Sequence, residues 1–318
     1  MINYGIVSCA SIVERFVEGI RESGEGYVYG IASRNIDRAA GLARKLDIPH
    51  FYSNYDELYD LKEIDVIYIP TMNSLHYINA LKALEHHKHV IVEKPFTLKE
   101  NEAIELFELA RKNHCFIMEA QKSVFLPVNN KVKDMINHNI IGDIKYIDLK
   151  AGFPKRFDYD HWMYDLESGG GALRGSATYT IELLMYLFDE EIYDLNGDCM
   201  TCARGSDELC HFSFKMGEKL ISSTIAMNVP LKNEMVLYGE GGYIVVDHFW
   251  KSRHFEVFLN NGDHQIYDLP DKSEFVYEIR HIHECIEKGS FESPTMNKEK
   301  TIEAIRIVNT LYRSWQLI

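Results

Sequence analysis

His89-Val90-Ile91-Val92-Glu93-Lys94-Pro95 is a short apolar run that ends in a charged pair and a proline. The apolar part reads as a buried strand. Thr97-Leu98-Lys99-Glu100 follows with the spacing of a capping box, and Ala103, Ile104, Leu106, Phe107, Leu109 and Ala110 then recur at helical period. Lys94 therefore stands at the carboxyl end of a strand that feeds a helix. In an open parallel sheet, ligands bind outside that end of the strands. A lysine there is either a charged tip on the surface or a working group that faces a cleft, and the triplet alone does not choose between them.

The flanking sequence repeats the same alternation. Strand-like runs at 2–7, 27–32, 66–70, 89–92 and 116–118 are separated by helical patterns at about 11–23, 36–46, 74–86 and 99–112. This is the pattern of a doubly wound parallel sheet, and right-handed crossovers bring its strand ends to one edge. The turn after the first strand, Gly5-Ile6-Val7-Ser8-Cys9-Ala10-Ser11, stands where a dinucleotide fold carries its glycine fingerprint. Only Gly5 keeps its glycine. Ser8 and Ala10 are small, so backbone can still approach a pyrophosphate at the helix start formed by Ser11 and Ile12. A plain strand-to-helix turn reads the same way.

The second strand ends in Ala32-Ser33-Arg34, where a ribose-binding acid would stand in an NAD-type site. No acid is present. Arg34, with Arg38 one helical turn later, can pair with a 2′-phosphate. That arrangement favours NADP(H), with NAD(H) as the alternative; solvated charges at a helix start are the plainer reading. Pro70-Thr71-Met72-Asn73-Ser74-Leu75-His76 closes the next strand, with Asn73 or Ser74 as helix cap. His76 either lines the nicotinamide region or is a packed histidine.

Near residue 121 the alternation stops, which divides the chain into a dinucleotide-binding domain (1–121) and a substrate-binding and dimerisation domain (122–318). Leu126-Pro127 opens a helix to about 138, and a strand follows at 144–151. The rest is mostly β. Cys210, Phe212, Phe214 and Met216 alternate with polar neighbours, and Ile221, Ile225, Met227 and Val229 share one face. Gly217-Glu218 and Asn261-Gly262-Asp263 read as hairpin turns. The fold class is α/β: a Rossmann-type parallel sheet, then an α/β domain with a large, mainly antiparallel open sheet. One face of that sheet packs on helices, and the other is solvated or pairs with a second subunit. Helices near 272–288 and 298–316 follow. Gly169-Gly170-Gly171 precedes a helix containing Tyr179, so backbone there approaches a ligand or a neighbouring chain closely. His161, Trp162 and Tyr164 form a polar-aromatic loop suited to a sugar-sized pocket or to ordinary loop packing.

Composition limits the partners. Among 318 residues, 34 Lys and Arg face 48 Asp and Glu, giving a net charge of -14. That excludes nucleic acid or an anionic membrane as the main partner. No segment is apolar for long enough to span a bilayer, the first residues lack a basic leader pattern, and the six cysteines are scattered rather than spaced as a disulfide framework. The expected home is the cytoplasm. Cys199-Met200-Thr201-Cys202 with Cys210 invites a zinc reading, but no second paired motif completes it, and no metal is expected.

In order along the chain, the Gly5 turn, Asn73-Ser74-Leu75-His76, Lys88-His89-Val90 leading into Glu93-Lys94-Pro95, Leu126-Pro127-Val128 and Gly169-Gly170-Gly171-Ala172-Leu173 resemble the Gfo/Idh/MocA oxidoreductases, most nearly the branch with dihydrodiol and NADP-dependent D-xylose dehydrogenases. The resemblance implies an NAD(P)-dependent enzyme acting on a sugar, polyol or related hydroxy/keto compound, often a homodimer or higher oligomer packed through its open sheet. It implies that Lys94 is the catalytic lysine and Tyr179 the acid/base group. A cation beside a tyrosine favours its phenolate, so Lys94 would assist Tyr179 and orient the substrate oxygen. It places the cofactor along Gly5, Ser8, Ala10, Ser11, Ile12, Ser33, Arg34, Arg38, Pro70, Thr71, Asn73, His76, Glu93 and Lys94. One departure stands out: many members carry Asp four residues before the tyrosine, and here that position is Gly175. It keeps open a second class of function, a non-catalytic NAD(P)-binding regulator.

Overall fold

The structure, a computed structural model, describes residues 1–154, 158–269 and 273–318. In chain order the elements are β1 (Ile2–Val7), α1 (Val13–Ser23), β2 (Gly26–Ala32), α2 (Ile36–Lys45), β3 (His50–Tyr52), α3 (Tyr55–Tyr59), β4 (Val66–Ile69), α4 (His76–Glu85), β5 (His89–Glu93), α5 (Glu100–Lys112) and β6 (Ile117–Ala120). There follow α6 (Pro127–Asn137), β7 (Ile144–Gly152), α7 (Ala172–Phe188), β8 (Ile192–Thr201), β9 (Asp207–Met216), β10 (Lys219–Ala226), β11 (Glu234–Gly239), β12 (Gly242–Asp247), β13 (His254–Leu259), β14 (His264–Asp268), α8 (Val276–Glu287) and α9 (Lys298–Ser314).

Two compact units result: Met1–Gln121 with Lys272–Ile305, and Lys122–Asp271 with Arg306–Ile318. The first break falls where the strand–helix alternation stops. The later breaks are not in the sequence reading, which kept 122–318 together. Packing explains them. Phe275, just before α8, meets Phe16 of α1 edge-to-face with ring centroids 5.8 Å apart, and the Ile117 amide of β6 donates to the Phe291 carbonyl at 2.9 Å. The expected start of α8 at 272 lies outside the described residues; its helix begins at Val276.

The first unit is a six-stranded parallel sheet in the order β3-β2-β1-β4-β5-β6. The order reverses direction at β1, so loops after β1 and β4 diverge to opposite faces and leave a crevice at the carboxyl edge. β4 is buried throughout, as expected for a strand covered on both faces. The short β3 and α3 have no counterpart in the sequence reading, because elements this brief show no period.

The second unit holds an eight-stranded sheet, β14-β13-β12-β11-β7-β10-β9-β8, antiparallel except where β10 runs parallel to β7. The alternation in β9 is as expected, with Cys210, Phe212, Phe214 and Met216 all buried. β10 ends at Ala226, so Met227 and Val229 lie beyond it; Met227 is buried and Val229 exposed.

Helix α7 fixes the interior of this unit. Its N-terminus is held by a distant carboxylate: Asp207, fully buried, accepts from the Leu173 amide at 2.7 Å and from the Tyr312 hydroxyl at 2.6 Å. This is an N-terminal cap supplied from 34 residues away in sequence. The three glycines serve that junction. Gly171 has φ +124°, and a Cβ there would run into Asp207 Oδ1 and Tyr312 Oη, while a Cβ at Gly170 would meet the Met163 carbonyl. Of the two readings of the glycines, the close neighbour found is this chain itself. Replacing Asp207 with Ala leaves the first amides of α7 and the Tyr312 hydroxyl buried without their acceptor. The expected loss is about 2–3 kcal/mol of unfolding free energy, measured by urea titration.

Candidate active site

In the first unit, the expected cofactor residues gather at the carboxyl edge. Ser8 follows β1 in the left-handed region, at φ +101°, a conformation that favours glycine and is strained for serine. Two bonds hold it: its amide donates to the Ala32 carbonyl at 2.8 Å, and its hydroxyl donates to the Pro70 carbonyl at 2.8 Å. Ser8 thus ties the ends of β1, β2 and β4 together. Gly5 lies inside β1 rather than in the turn, where a Cβ would press on Ile64, Ile67 and Leu58. Ile12 occupies the N-cap of α1 and offers no side-chain oxygen, with Ala10 and Ser11 before it. The Val13 amide donates to the Ala10 carbonyl at 3.1 Å, and no side chain caps the helix, which leaves this N-terminus suited to an anion such as a pyrophosphate.

Ser33, Arg34 and Arg38 converge on the same loop. The buried Ser33 receives the Asn35 amide at its hydroxyl, and Arg38 donates to the Cys9 carbonyl at 3.3 Å. Burial raises the Tyr55 phenol, opposed by Arg34 through its charge and a hydrogen bond, and by Arg38. Burial likewise raises the Cys9 thiol, opposed by the Ser33 hydroxyl and by Arg38. Both guanidiniums are exposed, so they can turn toward a phosphate without leaving a buried charge behind.

The Glu93-Lys94-Pro95 turn is braced from three directions. Tyr68 donates to Glu93 at 2.7 Å, the Phe96 amide donates to the buried Glu119 at 3.0 Å, and His76 Nδ1 lies 2.8 Å from the Pro95 carbonyl. His76 Nε2 also faces the Thr71 carbonyl, at 3.2 Å. A neutral imidazole donates through one nitrogen only, and the shorter contact assigns that proton to Nδ1. His76 is fully buried, and it joins the loop after β4 to the lysine turn. Two local expectations differ from the structure. The N-cap of α5 is Lys99, without a side-chain bond, and the Thr97 hydroxyl instead donates to the Lys99 carbonyl at 2.8 Å. Asn73 and Ser74 form a 3-10 turn ahead of α4, whose N-cap is Leu75.

In the second unit, Tyr179 is the eighth residue of α7. Its hydroxyl receives a bond from Lys122 Nζ at 3.1 Å, and its ring stacks on Trp250 with centroids 6.1 Å apart. Lys122 opens a 3-10 turn, Lys122–Phe125. The buried Asn129 holds that turn beside the tryptophan: its amide donates to the Ser123 carbonyl at 2.8 Å and to the Phe249 carbonyl at 2.9 Å. Sequence reasoning missed Lys122 and Trp250, because neither lies in a periodic element. Of the loop aromatics, Tyr164 is buried, its carbonyl accepting from Ser206, and His161 caps the turn Trp162–Tyr164. Cys199 and Cys210 face each other across β8 and β9, and Cys202 donates to the Tyr164 carbonyl. Among the described residues, no three His, Cys, Asp or Glu side chains come together as a metal site.

Residues 2–121 match the family described as "Oxidoreductase family, NAD-binding Rossmann fold", and residues 129–245 match the "GFO/IDH/MocA C-terminal domain". The chain belongs to the Gfo/Idh/MocA oxidoreductase family. Its Rossmann unit is thus the nucleotide-binding part of an oxidoreductase. Among curated members, trans-1,2-dihydrobenzene-1,2-diol dehydrogenase of Xenopus laevis is 29% identical over 316 residues, covering 92% of each chain. Among solved members, aldose-aldose oxidoreductase of Caulobacter crescentus is similar with a TM-score of 0.89 at 20% identity, covering 99% of this chain and 97% of that one. A 3-ketoreductase of Actinomadura kijaniata, solved with NADP and TDP-benzene, gives a TM-score of 0.88 at 22% identity, covering 98% and 97%. At these identities the solved members speak for the family fold alone.

The first unit carries a pH dependence. Burial lowers the pKa of His76, His89, His281 and His283 below the ordinary 6.5, against smaller opposing effects from nearby carbonyls and carboxylates. As pH falls, the unfolded chain therefore takes up these protons before the folded one. The stability is fully present above about 6.5 and is lost as pH falls toward the folded values. Urea unfolding followed at about pH 7.5 and about pH 5.5 should show a lower midpoint at the acid value.

Proposed function

We propose that this chain is an NADP(H)-preferring dehydrogenase or reductase acting on CH–OH groups of a sugar, polyol or related hydroxy/keto compound. The observation that carries the cofactor choice is the pair Arg34 and Arg38, exposed at the end of β2 beside Ser33, with no acid at the ribose position. The start of α1 with Ser8 and Ala10 suits the pyrophosphate, and Thr71 and Glu93 line the edge toward the nicotinamide, with the buried Asn73 and His76 behind them. When bound, the nicotinamide supplies or accepts the hydride. A diol, an aldose and a keto group appear in the names of the relatives, which supports a hydroxyl- or carbonyl-bearing substrate of that size.

Interconverting an alcohol and a carbonyl requires a proton to leave or reach the substrate oxygen. Tyr179 is assigned to that transfer. Lys94, on a turn braced by Tyr68, His76 and Glu119, is assigned to hydrogen-bond and orient the oxygen. Titrating the protein with NADPH and with NADH, following cofactor fluorescence, tests the reading. NADPH should bind at least about tenfold more tightly, and Arg34→Ala should remove that preference while leaving NADH binding unchanged. Lys94→Ala should retain NADPH binding and lose turnover across a panel of aldoses, polyols and diols. Absence of binding by either nucleotide would overturn the oxidoreductase assignment in favour of a degenerate regulator.

The open face of the large sheet supports a homodimer or higher homo-oligomer. Tyr146, Tyr238, Tyr243, Phe258 and His264 pair in register across five adjacent strands, with ring centroids 5.7, 5.8, 4.6 and 4.2 Å apart in turn. Exposed Leu220 and Tyr193 continue the row on β10 and β8. The row is aromatic over five strands and is interrupted by the charged Lys215 on β9; an aromatic row on a sheet face marks an interaction surface. A lysine in place of Tyr243 should convert the oligomer to monomer, read as a drop in mass by light scattering. Six free cysteines support a cytoplasmic home.

A further inference from the structure

Helix α7 is buried on almost every side. Between Ala172 and Met185 only Gly175 and Tyr179 are partly exposed, and their four-residue spacing puts them on one face. Gly175 leaves that face open: a Cβ placed there meets nothing nearer than the Met163 methyl, at 3.8 Å. The charge brought to the tyrosine is positive and comes from another element. Lys122, 4% exposed, donates from Nζ to the Tyr179 hydroxyl at 3.1 Å, with the ammonium 5.1 Å from the ring centre.

We infer that Lys122 is the positioning residue that poises Tyr179 for proton transfer. The inference rests on the reading of Tyr179 as the acid/base group and assigns to Lys122 the stabilisation of its phenolate; Lys94 keeps its own role toward the substrate oxygen. In the reducing direction the Tyr179 O–H bond breaks, its proton passes to the substrate oxygen, and the phenolate left behind accepts a charge-assisted bond from the Lys122 ammonium. In the oxidising direction that phenolate takes the substrate's hydroxyl proton, while the hydride goes to the oxidised nicotinamide nucleotide. An ammonium at hydrogen-bond distance, poorly reached by water, favours the phenolate far more than an exposed one does.

The surroundings in the same unit bear this out. From the 249–250 turn comes Trp250, which does not titrate, with His248 against its outer side. From α6, Lys133 is engaged one helical stretch further along, over the Tyr186 ring and donating to the Tyr186 carbonyl. From β10 comes the Ser223 hydroxyl, at Thr180. On α7 itself, Arg174 donates to the Leu166 carbonyl and lies over Tyr312, and Glu182 is fully buried. Lys122 Nζ reaches the Tyr179 oxygen from within this unit. Its geometry is set by Asn129, which clamps the lysine turn and the tryptophan turn with one amide group.

The test reads ionisation directly. The protein is prepared with carbon-13 at the tyrosine Cζ, and the resonance absent from Tyr179→Phe is assigned to Tyr179. It is then titrated in the unsubstituted protein, in Lys122→Met and in Lys122→Arg. Losing the ammonium should raise the titration midpoint of Tyr179 by about one pH unit or more, and keeping a cation in Lys122→Arg should hold it within about half a unit of the starting value. If circular dichroism shows Lys122→Met unfolded, Lys122→Gln takes its place in the same comparison. An unchanged midpoint in the uncharged variant would overturn the inference, whatever the turnover. Full NADPH-linked turnover by Tyr179→Phe, alongside a moved midpoint, would instead leave the pairing intact and remove Tyr179 from the proton transfer.

Discussion

The buried carboxylate of Asp207 fixes more of the second unit than any other single group. A charge without solvent survives only with donors on its oxygens, and here each oxygen has one, from the Leu173 amide and from the Tyr312 hydroxyl. Burial raises its pKa, and those two bonds work against the rise. Because the Leu173 amide belongs to the first turn of α7, satisfying Asp207 fixes where that helix starts. Its rotation follows from packing on β9 and β10, where the Thr180 and Ser223 hydroxyls meet at 3.2 Å. Once start and rotation are set, Gly175 and Tyr179 fall on the one face left partly open.

The same logic runs through the first unit with different chemistry. Its polar interior groups sit at strand ends, where a parallel sheet leaves backbone carbonyls and amides without ladder partners. His76 donates to the Pro95 carbonyl, Glu119 accepts the Phe96 amide, and Ser8 donates to the Pro70 carbonyl. These bonds make the carboxyl edge a rigid rim rather than a set of free loops. Rigidity there is what an orienting lysine such as Lys94 needs, since a misplacement of about 1 Å costs on the order of a hundredfold in rate.

Much of this was legible in the sequence because it rests on period. β9 alternates, β4 and β5 are largely apolar runs, and α6 opens with its proline, so fold class and the succession of elements could be read directly. The ordered motifs gave the family and its candidate residues. What escaped has a common cause. Asp207 caps a helix that begins 34 residues before it in the chain, and no local pattern encodes that. Lys122 lies in a four-residue 3-10 turn that has no apolar stripe. The amphipathic face of α8 shows that it packs on something, not that its neighbour is α1. Thr97 has the spacing of a cap but spends its hydroxyl on the Lys99 carbonyl.

Each unit is assembled from two separated pieces of chain, and this orders its birth on the ribosome. The segment Met1–Gln121 carries the whole parallel sheet, yet the outer face of α1, at Phe16 and Gly19, meets its partners Phe275 and Ile279 only when the later piece arrives. The second unit waits as well, since Tyr312 completes the cap on α7. A nascent chain therefore exposes an unpaired helix face through the 150 residues of synthesis between those pieces. Such intermediates attract chaperones and aggregate readily. A cut at residue 121 therefore leaves the first unit without its second piece, Lys272–Ile305.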